Sequence, residues 1–223
     1  MATPLPWSHS SLQGFDTCAR QYEEVKVLRH FKGADNDASI WGNEFHTAAE
    51  NYLSGQPLDD RFAAYKDYFD TFSALPGTLY VEQQLALDKK LQPCSFNGSD
   101  VWGRGIIDVL VIDGTHAIVA DHKTGKRKKD MQQLIIFALL VFHHHPEVQT
   151  CSTAFHWLKT NEVDRETFHR KDCAELWGTL VPKLQRYASA FHVGIFPARP
   201  SGLCKAHCPV QTCEYFQVGM YRG

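Results

Sequence analysis

Apolar positions along this chain recur with two different periods, and the change of period marks out the elements. From Ser8 to Lys26, Leu12, Phe15, Ala19 and Tyr22 fall on one helical stripe, with Ser10 or Ser11 placed to cap it. Ile40 to Leu53 repeats the pattern through Trp41, Phe45, Ala49 and Tyr52. Asp59 to Phe72 repeats it again through Phe62, Tyr65, Phe69 and Phe72, until Pro76 and Gly77 stop it. Then the period drops to two. Leu79 to Leu87 alternates as a strand, with Glu82 on the face opposite Leu79, Val81, Leu85 and Leu87. A polar turn from Lys89 to Asp100 follows.

The stretch from Gly103 to Lys123 reads as a β-hairpin. Ile106 to Ile112 and Ala117 to Ala120 are the apolar runs, and Asp113-Gly114-Thr115 between them is turn chemistry. A loop centred on Gly114 and Thr115 sets Asp108 opposite Asp121. A strict Asp113-Gly114 loop sets Val119 opposite Asp108, with Asp121 on the diagonal. Both registers leave the two carboxylates on one face, and Lys123 shares that face with Asp121. Adjacent cross-strand carboxylates repel. A divalent cation with oxygen ligands offsets that repulsion. The competing explanation is an exposed strand-end Asp paired with Lys123.

Beyond Thr124 and Gly125, Asp130 to Phe142 returns to helical spacing through Leu134, Phe137, Ala138 and Val141. His143, His144 and His145 are consecutive and point in different directions on a helix, so they make no ligand set and mark its end before Pro146. Cys151 to Thr160 is a strand, with Thr167 to Arg170 a segment that can pair with it. Asp172 to Phe191 is a long helix in which Pro182 predicts a kink or break.

Composition narrows the class. At 223 residues, 43% hydrophobic and 22% charged, the chain reads as one globular domain over 1–223. A net charge of −2 and a pI of about 6.6 exclude a protein coated with phosphate-binding residues. The basic residues are uneven, however. Lys126, Arg127, Lys128 and Lys129 cluster directly after the carboxylates, where they suit a phosphate backbone. No signal peptide is evident, and the longest apolar run, Leu134 to Phe142, is too short to span a bilayer, so a cytoplasmic protein is expected. No G-x-x-x-x-G-K-[ST] sequence is present, so the chain carries no such ATP motor.

Gly105-x-x-Asp108, then Asp121-His122-Lys123, then Gln133-Leu134 opening a helix, resembles the active-site signature of PD-(D/E)XK nucleases. The RecB-like branch, with phage exonucleases and the iron–sulfur nucleases of CRISPR adaptation, is the best likeness, over roughly Ser8 to Cys213. The resemblance implies an α/β fold with a restriction-endonuclease-like core, a mixed central β-sheet flanked by helices. It implies a Mg²⁺- or Mn²⁺-dependent DNA exonuclease acting in recombination, repair or phage DNA processing, with recombination proteins as possible partners. A structure-specific endonuclease and a non-catalytic DNA-binding subunit are the alternatives, and oligomeric state stays open.

The resemblance also assigns residues. Asp108, Asp121, Lys123 and Gln133 take the catalytic positions, with Gln132 an alternative for the Gln. Metal ligands are Asp108, Asp121, the backbone carbonyl of His122, and His46 in Gly42-x-x-x-His46, with Glu82 as a further candidate. Phe137 stands where the family has Tyr, which removes a hydroxyl and leaves stacking on a base or packing as its roles. Lys126, Arg127, Lys128, Lys129 and Phe137 are then the expected DNA contacts.

Seven cysteines without an export signal do not suggest a disulfide framework. Cys204, Cys208 and Cys213 are closely spaced and suggest thiolate metal ligation. With Cys18 they number four, as a [4Fe-4S] cluster requires, and this N-terminal and C-terminal split is the arrangement of the resembling nucleases. The middle cysteine is one residue displaced from the family spacing. Zinc, with Cys18 or His207 as a ligand, is the rival cofactor; plain buried thiols are the third possibility.

Overall fold

A computed structural model describes residues 4–33, 37–128 and 130–218. In chain order the helices are α1 (His9–Thr17), α2 (Ala19–Tyr22), α3 (Asp37–Leu53), α4 (Lys66–Ser73), α5 (Gln132–His144), α6 (Cys173–Val193) and α7 (Leu203–Ala206). The strands are β1 (Thr78–Leu87), β2 (Gly103–Asp113), β3 (His116–Lys123), β4 (Thr150–Trp157) and β5 (Glu162–His169). The chain forms two compact units, Asn36–Trp177 and Met1–Asp35 with Gly178–Gly223.

The larger unit is built on a five-stranded sheet in sequential order β1-β2-β3-β4-β5. Every neighbouring pair is antiparallel except β3 and β4, which run parallel. A parallel pair needs a crossover, and α5 lies in the connection between them. The result is the expected α/β architecture, a mixed sheet with helices.

The hairpin adopts the register centred on Gly114 and Thr115: Asp113 pairs with His116, and the ladder runs up to Val109 with Ala120. Gly114 takes φ +54°, a conformation the turn demands and glycine supplies. Ile107 to Val111 of β2 is buried throughout, as a central strand covered on both faces must be. Val109, Val111 and Ala120 pack with Phe72, next to a cluster of Phe45, Ala48, Ala49, Phe62 and Phe69. Elsewhere on β2, Gly105 meets α5: a β-carbon there would sit 2.8 Å from Leu140 Cδ1 and 3.3 Å from Phe137 Cε1.

The predicted third helix is a 3₁₀ turn, Asp60–Tyr65, followed by α4. The three consecutive histidines are used separately. His143 Nε2 accepts from Trp177 Nε1 at 3.2 Å, His144 Nε2 meets Ala86 O at 2.9 Å, and His145 Nδ1 meets Glu147 at 3.2 Å.

In the smaller unit, Phe15, Tyr22, Tyr187, Phe191 and Phe196 pack edge to face or tilted, with the Tyr22 and Tyr187 hydroxyls 2.7 Å apart. The single helix expected over Ser8 to Lys26 is interrupted. Cys18 is extended, φ −164° and ψ 108°, and a π-helical turn follows at Glu23–Val27. The C-terminal segment competes for this backbone: Arg20 N–H donates to Pro197 O, and Arg199 donates to Asp16 O. The cap is Ser8, in a reciprocal box with Ser11. Helix α6 runs on through Pro182 without a break; burial of Leu180, Leu184 and Tyr187 offsets the lost hydrogen bond.

Candidate metal centre

Three elements of the larger unit converge where the β2–β3 ladder ends. From α3, His46 Nδ1 lies 3.4 Å from Asp108 Oδ2 on β2 and 3.7 Å from Glu82 Oε1 on β1. One ligand atom from each of the three residues lies within 4.8 Å of the others, a spacing that can hold a metal ion. Glu82 reaches this group from a backbone with φ +48°, between the paired Val81 and Gln83. A left-handed non-glycine residue inside a strand is strained, and here the strain coincides with a side chain aimed into the cluster.

Helix α3 comes close because Gly42 lets it. A β-carbon on Gly42 would stand 2.8 Å from Thr124 Oγ1. The Gly42-x-x-x-His46 spacing therefore has a packing reason as well as the chemical one that the sequence suggests.

Asp121 stands beside this cluster with different partners. Gln133 donates from Nε2 to Asp121 Oδ1 at 2.8 Å and accepts at Oε1 from Lys123 Nζ at 2.7 Å. Lys123 Nζ is also 2.6 Å from Asp121 Oδ2. Gln133 thus faces the site. Asp108 takes the backbone N–H of His122 at 2.7 Å. The His122 ring turns into the core, where Tyr68 Oη meets Nδ1 at 2.7 Å.

The electrostatics follow from burial. Asp108 is 8% exposed and Asp121 3%. Burial, then the Asp121 charge, pushes the Asp108 carboxyl well above the usual range, against the opposing effects of His46 and the His122 N–H. Burial raises Asp121 as well, with Lys123 opposing. Burial works against a charge on His46, but the nearby carboxylates of Glu82, Asp108 and Asp121 win, and its pKa rises. Burial holds His122 far below the ordinary value. The site therefore gathers more negative charge than its own groups neutralise. A mostly oxygen ligand set with one imidazole fits a hard divalent cation such as Mg²⁺ or Mn²⁺.

The expected DNA contacts divide. Lys126 and Lys128 are exposed. Arg127 is committed: Nε donates to Asp164 at 3.0 Å, Nη1 to Glu162 at 2.5 Å, and Nη2 to the second Asp164 oxygen. Lys129 lies outside the described residues. Phe137 is 2% exposed beneath Gly105. Its face is taken up by packing, so base stacking is not available to it. Sequence reasoning missed Phe155 altogether. It pairs with Asp121 across the parallel ladder, and its ring centroid lies 4.9 Å from Lys123 Nζ.

In the smaller unit, Cys18, Cys204, Cys208 and Cys213 line one pocket together with Arg20, Arg199 and Tyr215. Backbone N–H groups of Arg199 and Ser201 approach Cys18 and Cys204 sulfurs at 3.4 and 3.5 Å. Burial and the three neighbouring thiols raise the Cys208 pKa. Cys94, Cys151 and Cys173 are free thiols away from this group.

The PD-(D/E)XK nuclease superfamily matches the chain over residues 6–213. No curated protein matches it. Among solved structures, an Eubacterium rectale protein provisionally described as an exonuclease aligns with a TM-score of 0.52 at 12% identity, covering 98% of this chain and 89% of that one. The protein SSO0001 aligns with a TM-score of 0.49 at 14% identity, covering 97% and 89%. The chain belongs to the PD-(D/E)XK nuclease superfamily.

Proposed function

We propose that this PD-(D/E)XK nuclease is a Mg²⁺- or Mn²⁺-dependent DNA exonuclease of the RecB-like kind, serving recombination, repair or phage DNA processing. The observation that carries the reading is the meeting of His46, Glu82 and Asp108 beside Asp121, Lys123 and Gln133 at the open end of one hairpin. His46, Asp108, Asp121 and the His122 carbonyl would hold the metal, with Glu82 as a further ligand. When bound, the metal lowers the pKa of a water and stabilises charge on the scissile phosphate.

The protein's own residues do the rest. Lys123 places a positive charge beside the reacting phosphate and orients the attacking water. Gln133 bridges Lys123 and Asp121, so one amide fixes the spacing of ammonium and carboxylate. Lys126 and Lys128 meet the DNA backbone. Both compact units act as one nuclease domain.

For the cysteine pocket we favour a [4Fe-4S] cluster. A single tetrahedral zinc, with Zn–S bonds of about 2.3 Å, needs its sulfurs close together. Cys18, Cys204, Cys208 and Cys213 line one pocket, and four thiolates are the number that a [4Fe-4S] cluster takes.

Linear and covalently closed circular DNA, each with Mg²⁺ or Mn²⁺, test the exonuclease mode. Degradation of the linear form alone is expected; cutting of the circle makes the protein an endonuclease.

A further inference from the structure

We propose that Tyr68 and His122 form a positioning pair that sets the Asp108 carboxylate, an inference that rests on the metal site proposed above. His122 sits in β3 between Asp121 and Lys123, yet its side chain turns away from both. The ring is 2% exposed and is packed among Phe45, Phe69 and Phe72, with centroids 5.6, 6.2 and 6.0 Å away. Nδ1 has the Tyr68 hydroxyl at 2.7 Å, and Nε2 has no hydrogen-bond partner. Aromatic packing confines the ring, but the Tyr68 hydroxyl is the directional bond that selects its rotation.

The consequence for Asp108 runs through the backbone. The β2–β3 ladder ends at Val109 and Ala120. Past that point the His122 N–H has no carbonyl of β2 to meet, and Asp108 Oδ2 takes it at 2.7 Å. On its other side His122 keeps register with His156 of β4. The direction of this N–H is therefore fixed by the β4 ladder and by the side-chain anchor into α4. The N–H in turn fixes Oδ2, the same oxygen that lies 3.4 Å from His46 Nδ1. Removing the Tyr68 hydroxyl strands a buried nitrogen without a partner and releases the bond that ties this end of β3 to α4, so the strand backbone past the β2–β3 ladder, and the His122 N–H with it, can shift. Groups that orient metal ligands from one layer out typically change metal affinity by about 10–100-fold.

The test is Mn²⁺ binding by calorimetry or electron paramagnetic resonance, without DNA, on the full chain and its Tyr68→Phe, His122→Phe and Asp108→Ala variants. Thermal unfolding and ¹H–¹⁵N spectra of the metal-free proteins run alongside. Tyr68→Phe keeps the ring and the fold. It is expected to bind Mn²⁺ about tenfold or more weakly, with the His122 amide proton moving upfield as its bond to the carboxylate loosens. His122→Phe gives the same loss of affinity. Wild-type affinity and an unmoved His122 amide in Tyr68→Phe, with binding lost in Asp108→Ala, would overturn the positioning role. Wild-type binding in Asp108→Ala removes the metal site itself, and the positioning role with it.

Discussion

Lys123 carries its ammonium 4.9 Å from the centre of the Phe155 ring, on the strand next to its own. Gln133 and Asp121 hold the same ammonium from other sides. A cation over an aromatic face gains about 0.5–2 kcal/mol, more where water is excluded. Phe155→Leu keeps the burial but removes the quadrupole. The rate of cleavage should fall by roughly tenfold with KM for DNA unchanged, and Phe155→Tyr should retain most of the rate. Steady-state kinetics on the two variants decide it; equal rates remove Phe155 from the account.

Asp108 is more costly charged than neutral in the metal-free fold, since burial and Asp121 raise its pKa. A raised carboxyl stabilises the fold below the unfolded-state pKa of about 3.9 and loses that contribution as pH rises through the folded value. Asp108→Asn keeps an acceptor for the His122 N–H and removes the charge. The metal-free variant should melt higher than wild type at pH 7, with the gap closing as the pH falls toward 4. Saturating Mg²⁺ should narrow the gap at pH 7 by stabilising wild type alone. Differential scanning calorimetry across that range tests the sign.

Gly105 is the residue over which α5 closes. Gly105→Ala puts a methyl 2.8 Å from Leu140 Cδ1 and 3.3 Å from Phe137 Cε1. Overpacking of this kind costs about 1–3 kcal/mol. Urea unfolding should show that loss, and Gly105→Ala combined with Leu140→Val should recover part of it.

Arg127 meets two carboxylates of β5, whereas Lys126 and Lys128 are exposed. DNA binding without metal should therefore weaken in Lys126→Ala and Lys128→Ala, each lowering the slope of log K against log salt by about 0.9. Arg127→Ala should leave that slope nearly unchanged. A full-unit drop for Arg127→Ala would mean that DNA displaces its carboxylate partners.

Acid should weaken the larger unit through His156, whose pKa burial and Arg165 depress to about 4. A depressed histidine stabilises the fold fully above its unfolded value of about 6.5 and loses that contribution as pH falls toward the folded value. His156→Gln should flatten the loss of melting temperature between pH 6.5 and 4.

What was legible in the sequence follows the range of the forces involved. The hairpin from Gly103 to Lys123 could be read as far as two registers that both put Asp108, Asp121 and Lys123 on one face, because a tight turn and alternating side chains are local facts; the ladder takes the one centred on Gly114 and Thr115. The grouping of Cys18 with the C-terminal cysteines came from a resemblance, and the pocket brings those four together. For Phe137 the helical stripe pointed to packing and the family resemblance to DNA; the structure buries it beneath Gly105. Phe155 was invisible because the β3–β4 register depends on a crossover. The break at Cys18 was invisible for a similar reason: Pro197, far along the chain, takes the nearby Arg20 N–H. Arg127 looked like its basic neighbours until β5 supplied Glu162 and Asp164.

The most direct measurement is cleavage of end-labelled linear DNA, single- and double-stranded, with Mg²⁺, Mn²⁺ or EDTA, by wild type, Asp108→Ala and Lys123→Ala. The account predicts metal-dependent loss of label by wild type, none with EDTA, and none by either variant, both still folded. Cleavage by the purified variants at the wild-type rate, or by wild type in EDTA, would contradict it.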